Sequence, residues 1–210
     1  FEFNELGGSS EFRLVVQADG YQPRQFEKLT VLPGAAERVD VILEQGLVIE
    51  GTVYDPEGNA LAGARCKINP MGTRTEGPPI ELTDDGLETD ESGYFRFDTL
   101  DELDYRLVIS FTDYATHQQL RIRPGGEPLN IQLTEGAAIS GGVFDAETSA
   151  PIAGAMIMVN DVADVKKSAV TDASGLYYVR GVTEQRRPIA FMNVDAKGYM
   201  RSGNVEASVT

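Results

Sequence analysis

The sequence has no tryptophan, one cysteine and one histidine among its 210 residues. One cysteine cannot form a disulfide bond within the chain, and one histidine cannot supply the several imidazoles that many zinc and iron enzymes place on their metal. No apolar run approaches the roughly 20 residues of a membrane-spanning helix, and no long stretch follows the helical period of about 3.6 residues. The sequence therefore predicts neither a transmembrane helix nor a helical fold.

Positive charge is also scarce, because 18 lysines and arginines face 33 aspartates and glutamates, for a net charge of −15. A surface this acidic repels phosphate backbones and anionic lipid. We therefore expect no nucleic-acid partner and no insertion into membranes. A solubilising surface is the favoured explanation of the charge, ahead of cation binding or a salty habitat.

What the sequence has in quantity is turn residues, with 22 glycines and 10 prolines, and one turn-and-strand motif that recurs. Residues 89–97 read TDESGYFRF and residues 171–179 read TDASGLYYV, while the FEF of residues 1–3 fits the end of the same motif. Asp and Ser can bond their own backbone, Gly permits positive φ, and the apolar residues then alternate with period two. Each copy predicts a turn followed by a strand.

The motif belongs to a longer repeat of about ninety residues. FRLVVQADGY at 12–21 matches YRLVISFTDY at 105–114, so that Tyr21 and Tyr114 lie 93 positions apart, and Leu43 and Leu133 lie 90 apart. This period exceeds that of solenoids and indicates tandem domains. We predict an all-β chain of tandem Greek-key β-sandwiches, each of about seven strands, arranged as an extended rod.

The predicted domains are 1–45, the C-terminal half of a sandwich; 46–135, a complete sandwich; and 136–210, a third sandwich without its last strand. The junctions EQG at 44–46 and TEG at 134–136 are short enough to restrict relative motion. Half a sandwich leaves strand edges unpaired. Residues 1–45 are therefore expected to be completed by neighbouring chain or by another copy, and the predicted strand Val39–Leu43 suggests head-to-tail strand exchange.

The alternating apolar positions define a core for the complete repeat. Its predicted members are Val53, Leu61, Ala64, Cys66, Ile68, Phe95, Phe97, Leu100, Tyr105, Leu107, Ile109, Ile131 and Leu133. Cys66 is expected to be a buried, small apolar residue, with Arg65 and Lys67 on the opposite face of its strand. Tyr114 and its equivalents Tyr21 and Tyr199 are expected to pack their rings inward and to bond backbone through their hydroxyls.

The order G-x-V-x-D, L/I-A-G-A, T-D-x-S-G-x-F/Y, Y-x-L-x-V, G-Y and V-x-L resembles the carboxypeptidase regulatory-like domain. The resemblance covers nearly the whole chain and implies a transthyretin-like (prealbumin-like) sandwich of seven strands. It also implies a setting beside secreted peptidases, in surface proteins or in extracellular arrays, where such modules usually have no chemistry of their own.

Enzymes with related folds do not fit the residues present. The zinc carboxypeptidases need two histidines on the metal, and intradiol dioxygenases and hydroxyisourate hydrolases also need more than one histidine; this chain has only His117. Cna B-type pilus domains cross-link a lysine of their first strand, but LVIEGTVYD and AAISGGVFD contain none. The sequence therefore predicts no enzyme, no cofactor, no catalytic residue and no intramolecular isopeptide bond.

Three further features could hold a site. His117 is expected to be an exposed loop histidine, since no motif supplies a nucleophile beside it. The acidic residues Asp84, Asp85, Glu88, Asp90 and Glu91 could bind calcium, but a solvated acidic loop is favoured. The insertion at 70–87 is where a ligand-binding loop would lie, although it contains no aromatic platform for a sugar.

The functional prediction is a non-catalytic structural or spacer module of a larger secreted or cell-surface protein, for which strand complementation offers a route to self-assembly. Its expected partners are neighbouring domains of the same chain or other copies of itself. The alternative is an accessory module that binds carbohydrate, peptide or calcium beside a secreted enzyme such as a peptidase.

Overall fold

A computed structural model describes residues 11–30, 38–72, 86–184, 190–199 and 202–207. Within these ranges the chain forms fifteen β-strands and a single turn of 3-10 helix, Val162–Asp164. The prediction of an all-β fold is confirmed. No helix in the described part of the chain is long and apolar enough to span a bilayer.

The first strands form an antiparallel hairpin of β1 (Glu11–Val16) and β2 (Arg24–Thr30). Residues 38–44 form no strand, and Ile42 is 86% exposed. The predicted strand Val39–Leu43 is therefore wrong for this chain. The reason is pairing, because strands are stable only beside a partner, and among the described residues no strand pairs with residues 39–43.

Seven strands follow as two sheets, which we call the central sheet pair. They are β3 (Leu47–Tyr54), β4 (Arg65–Pro70), β5 (Leu87–Glu88), β6 (Tyr94–Leu100), β7 (Tyr105–Ser110), β8 (His117–Ile122) and β9 (Leu129–Gln132). One sheet has the order β6-β3-β9 and the other β5-β4-β7-β8. Neighbouring strands run antiparallel except β3 and β9, which are parallel.

The apolar core lies between these two sheets and matches the predicted list closely. Eleven of the thirteen predicted residues are buried, while Leu61 and Phe97 are only partly buried against the others. In β6 the alternation between buried and exposed side chains is interrupted by a bulge at Thr99, a non-glycine residue with φ of 60°. Phe95 and Leu100, which are five positions apart, can therefore both face the core. Ile49 and Ile122 also belong to this core, although the sequence did not predict them.

Six more strands form a second pair of sheets, the C-terminal sheet pair. They are β10 (Ala137–Gly142), β11 (Met156–Asn160), β12 (Lys166–Val170), β13 (Leu176–Val182), β14 (Ala190–Asp195) and β15 (Ser202–Ala207). Their sheet orders, β13-β10 and β12-β11-β14-β15, correspond to β6-β3 and β5-β4-β7-β8 of the central pair, and among the described strands none corresponds to β9. A separate buried cluster of Ile139, Ile157, Val159, Val179 and Val182 fills this unit.

The two sheet pairs share irregularities as well as strand order. β13 has a register shift at Gly181, whose φ is 69°, and this corresponds to the shift at Thr99 in β6. The isolated bridges Tyr21 to Gln45 and Tyr114 to Glu135 also occupy corresponding positions. Bulges of this kind increase local twist and redirect the strand. Here each bulge lies opposite the beginning of the first strand of its sheet pair, β3 or β10.

Candidate functional site

The described residues with the most distinctive environment lie where the central and C-terminal sheet pairs meet. Gly136, in the short connection between β9 and β10, lies against Gly181 of the β13 bulge so closely that a Cβ on Gly136 would collide with the Gly181 backbone. A Cβ on Gly181 would in turn lie 2.9 Å from the Tyr114 carbonyl oxygen. Glycine at these two positions lets three backbone segments approach one another.

A buried carboxylate links the two units through hydrogen bonds. Asp161, which is 7% exposed, accepts from the Thr116 hydroxyl at 2.7 Å and from the Thr183 hydroxyl at 2.9 Å. The Thr183 amide donates to the other Asp161 oxygen at 3.1 Å, and the Thr116 amide donates to the Thr183 hydroxyl at 2.8 Å. Thr116 belongs to the central unit, whereas Asp161 and Thr183 belong to the C-terminal unit.

A buried lysine supplies a second link. Lys167 of β12 donates from Nζ to the carbonyl oxygens of Phe111, at 2.5 Å, and Tyr114, at 3.0 Å. Burial lowers the pKa of this ammonium, and the charges of Asp161 and Asp113 oppose that change. Thr116, Asp161, Lys167 and Thr183 are called the junction cluster below. Their polar atoms bond one another or the backbone, an arrangement that holds two units together.

His117 does not lie in an exposed loop, so that prediction is wrong. It begins β8 opposite the buried Ile109 of β7 and is itself half-buried. Its Nε2 is buried and has no hydrogen-bond partner among the described residues. Desolvation lowers the pKa of the imidazole, because burial penalises its charged form.

The three equivalent tyrosines have different environments. Tyr114 packs against the central core and stacks on Phe111, with ring centroids 5.6 Å apart. Tyr21 and Tyr199 are 46% and 47% exposed, so inward packing of these two rings was wrongly predicted. The Tyr199 hydroxyl donates to the Asp145 carboxylate at 3.0 Å rather than to backbone.

The recurring TDxSG motif is a hydrogen-bonded turn, as its residues predicted. Asp90 Oδ1 accepts from the Ser92 amide at 2.9 Å and the Tyr94 amide at 2.9 Å, and Asp172 does the same with the corresponding amides at 2.8 and 2.9 Å. Hydrogen bonding, first from the Ser92 side chain, lowers the pKa of Asp90. This carboxylate therefore serves a turn in both copies.

The threonine that opens the motif has a role the sequence analysis missed. The buried Thr89 hydroxyl donates to the Leu61 carbonyl at 2.6 Å and accepts from the Ala64 amide at 2.9 Å. Thr171 makes the same two contacts with Ile152 and Ala155, at 2.7 and 2.8 Å. The sequence does contain a signal for this contact. Both copies combine a Thr-Asp pair, at 89–90 and 171–172, with a matching turn sequence, LAGA at 61–64 and IAGA at 152–155.

The remaining acidic residues do not assemble into a site within the described ranges. Glu88 pairs with Arg65 at 3.5 Å and Glu91 is exposed, while Asp84 and Asp85 lie outside the described residues. Across the part of the chain that the structure describes, no three His, Cys, Asp or Glu side chains are grouped to hold a metal ion. Most of the insertion, residues 73–85, is likewise outside the described ranges.

Cys66 is fully buried in the central core, as predicted. Desolvation raises the pKa of its thiol to about 12. Because the thiolate is the reactive form of cysteine, this side chain is a packing residue rather than a nucleophile.

Paired sheets, antiparallel except for β3 and β9, around separate apolar cores define a β-sandwich protein. Residues 48–134, which span the central sheet pair, match the family model of the carboxypeptidase regulatory-like domain. The resemblance to that family, read from the sequence, is therefore confirmed for this segment. Among curated proteins, none matches the chain.

Several solved structures are similar to the chain at low sequence identity. A streptococcal ancillary pilin is 13% identical with a TM-score of 0.36, over 96% of this chain and 72% of that one. The shaft pilin SpaA from Lactobacillus rhamnosus GG is 11% identical with a TM-score of 0.31, over 79% and 94%. The Bacillus anthracis TIE protein is 17% identical with a TM-score of 0.30, over 93% and 38%. Similarity at this level carries no conclusion about function.

Proposed function

We propose that the chain is a non-catalytic spacer of a larger secreted or cell-surface protein. Its units are the C-terminal half of a sandwich at 1–45, a complete sandwich at 46–135 and a third sandwich without its last strand at 136–210. Its task is mechanical: it holds neighbouring domains, or other copies of itself, at a fixed separation. The observation that carries the proposal is the junction cluster, in which buried hydrogen bonds join two units that each have a core of their own.

The geometry of the junction explains why such a spacer would be stiff. Only four residues, 133–136, separate β9 from β10, and a connection this short leaves little freedom of rotation. Rotation about it would separate Asp161 from Thr116 and Lys167 from the carbonyl of Phe111. Leaving those buried polar groups without partners costs roughly 1–3 kcal/mol for each neutral group and more for the charged ones.

Distance measurements between spin labels test the stiffness directly. Labels on Glu57→Cys and Lys197→Cys report on exposed turns in the two sheet pairs, and Cys66 is too buried to compete for the label. We expect one narrow distance distribution. Asp161→Ala should broaden it, because the hydrogen bonds from Thr116 and Thr183 are lost together.

The matched control is Asp195→Ala, which removes an exposed carboxylate from the same unit. It should leave the distribution unchanged. A broad distribution in the otherwise unmodified chain would show that the junction is a flexible hinge and would overturn the spacer proposal.

A further inference from the structure

A concentration of positive charge lies beside the junction of this acidic chain. A cleft of about 500 Å³ is bounded by β4 and β7 on one side and by the turn before β12 on the other. Four of its lining residues are cationic, namely Arg65, Lys67, Arg106 and Lys166, and one, Asp164, is anionic. The net charge of the whole chain is −15, so the sign of the charge in the cleft is opposite to that of the chain as a whole.

Alternation along two paired strands produces this arrangement. Cys66 and Ile68 of β4 face the core, which leaves Arg65, Lys67 and Asn69 on the outer face. The antiparallel partner β7 places Arg106 opposite Asn69 and Ser110 opposite Arg65. Two strands thus contribute three cations and two hydroxyl or amide groups to a single surface.

The cations differ in whether they are already neutralised. Arg65 lies 3.5 Å from the Glu88 carboxylate. Within the described ranges no carboxylate forms a salt bridge with Lys67, Arg106 or Lys166, and the Arg106 guanidinium instead donates to the Asn69 side-chain oxygen at 3.4 Å. Three like charges around one cleft repel one another, and an anion placed between them would relieve that repulsion.

The opposite wall is formed by backbone in an unusual conformation. Ala163 and Asp164 both have positive φ, 53° and 62°, although neither is glycine. Non-glycine residues in this region are uncommon and often occur at functional sites. The amide of Asp161 and the carbonyl of Val165 close the turn at 2.7 Å, which fixes Lys166 at the rim of the cleft.

We propose that this cleft binds a compact, multiply charged oxyanion, such as a di- or tricarboxylate. The cations supply charge-assisted hydrogen bonds, and the amide of Asn69 and the hydroxyl of Ser110 supply neutral ones. A compact ligand fits better than a polymer, because the cleft has a volume of only about 500 Å³ and the chain as a whole, with a net charge of −15, repels a long polyanion. Its walls come from both sheet pairs, so the bound anion would bridge the junction.

Calorimetric titration of the 210-residue chain with citrate, in metal-free buffer of low ionic strength, tests the proposal. We expect saturable binding that weakens as sodium chloride is added, since salt screens the attraction. Citrate should also raise the melting temperature by mass action. Inorganic phosphate and polygalacturonate, titrated in the same way, separate a free compact anion from an anionic group carried on a polymer.

The Lys67→Gln/Lys166→Gln double variant should bind citrate roughly tenfold more weakly or worse, because two charge-assisted contacts are lost. Lys166 is exposed, so the single Lys166→Gln variant remains informative if the double variant is unstable. Lys197→Gln, an exposed lysine outside the cleft, should bind like the unmodified chain.

Two results would overturn the proposal. One is citrate affinity that is the same in Lys166→Gln, in the double variant and in the unmodified chain. The other is binding of polygalacturonate without binding of citrate or phosphate, which would identify a polymer site instead.

Discussion

At the residue scale, hydrogen bonds from side chains to backbone keep the turns of this molecule in place. Thr89 and Thr171 each bridge a carbonyl and an amide of a turn distant in sequence, and Asp90 and Asp172 each accept two amides of their own turn. The two threonines bond backbone groups that are buried or partly buried, which avoids the penalty of leaving those groups unpaired, whereas the two aspartates hold exposed turns. The Thr and Asp residues that recur in both copies of the motif therefore have a structural role.

Asp145 gives a pH-dependent prediction at this scale. Hydrogen bonds, first from the side chain of Thr148 and also from Tyr199, lower the pKa of Asp145 from 3.8 to about 2. A depressed carboxyl pKa stabilises the folded state above pH 3.8, and that contribution is lost as the pH falls through about 2. Carboxyl carbon NMR should show titration near the lower value.

Tyr199→Phe tests the cause of that shift, because it removes one donor to Asp145 and keeps the ring. We expect the Asp145 pKa to rise towards its ordinary value, while Tyr21→Phe, at the equivalent tyrosine of the first hairpin, should leave it unchanged. An Asp145 that titrates identically in all three proteins would show that the Tyr199 hydroxyl does not contact it in solution.

At the element scale, the bulges in β6 and β13 decide where one sheet pair can meet the next. Thr99 occupies the bulge of β6 with φ of 60°, whereas the corresponding residue of β13 is Gly181. A Cβ can be accommodated in the first bulge, but in the second it would collide with the Thr112 carbonyl oxygen and lie 2.9 Å from that of Tyr114. The two elements share a conformation but differ in what packs against them.

Gly181→Ala should consequently be strongly destabilising. The substitution combines the cost of a left-handed backbone, about 1–2 kcal/mol, with a collision against backbone that cannot easily move. Gly154→Ala is the matched control, because Gly154 has φ of 75° but nothing within 4 Å of an added Cβ. In denaturant unfolding, we expect Gly181→Ala to lose at least about 2 kcal/mol more than Gly154→Ala. Equal losses would mean that the close approach is absent in solution.

At the scale of the whole molecule, the chain is a succession of small cores joined by polar contacts. Hydrophobic burial keeps each sheet pair folded, and the two clusters share no residue. The junction, by contrast, relies on hydrogen bonds and buried charge. Because polar contacts are directional, such a joint favours one orientation of its two units.

Strand complementation remains a prediction at this scale. Residues 38–44 form no strand in a single chain although they alternate as a strand would, and Ile42 is 86% exposed. If another copy supplies the partner, light scattering should show a mass that rises with protein concentration. Ile42→Asp should suppress that rise, because a charge would be carried into the new sheet, whereas Arg38→Gln, at an exposed neighbouring position, should not. A constant mass of 22.8 kDa would exclude assembly.

Much of the fold could be predicted because period-two alternation fixes which side of a strand is buried. Cys66, Ile68, Leu107 and Ile109 are buried as predicted from their spacing alone. His117 was wrongly predicted because its burial depends on Ile109 opposite it in β7, and pairing between strands is not visible in a local pattern. Val39–Leu43 was wrongly predicted for the related reason that alternation does not supply a partner strand.

The sequence by itself determined the all-β class, the turn motifs, the resemblance of residues 48–134 to the carboxypeptidase regulatory-like domain and most of the central core. These follow from local periodicity and from backbone bonding by Thr, Asp and Gly. Only the tertiary structure brought Asp161 to Thr116, 45 positions away, and Lys166 to the cations of β4 and β7. The physical reason is that contacts between the sheet pairs depend on how two folded units dock. The alternation of apolar and polar residues within one unit does not specify the orientation of the other.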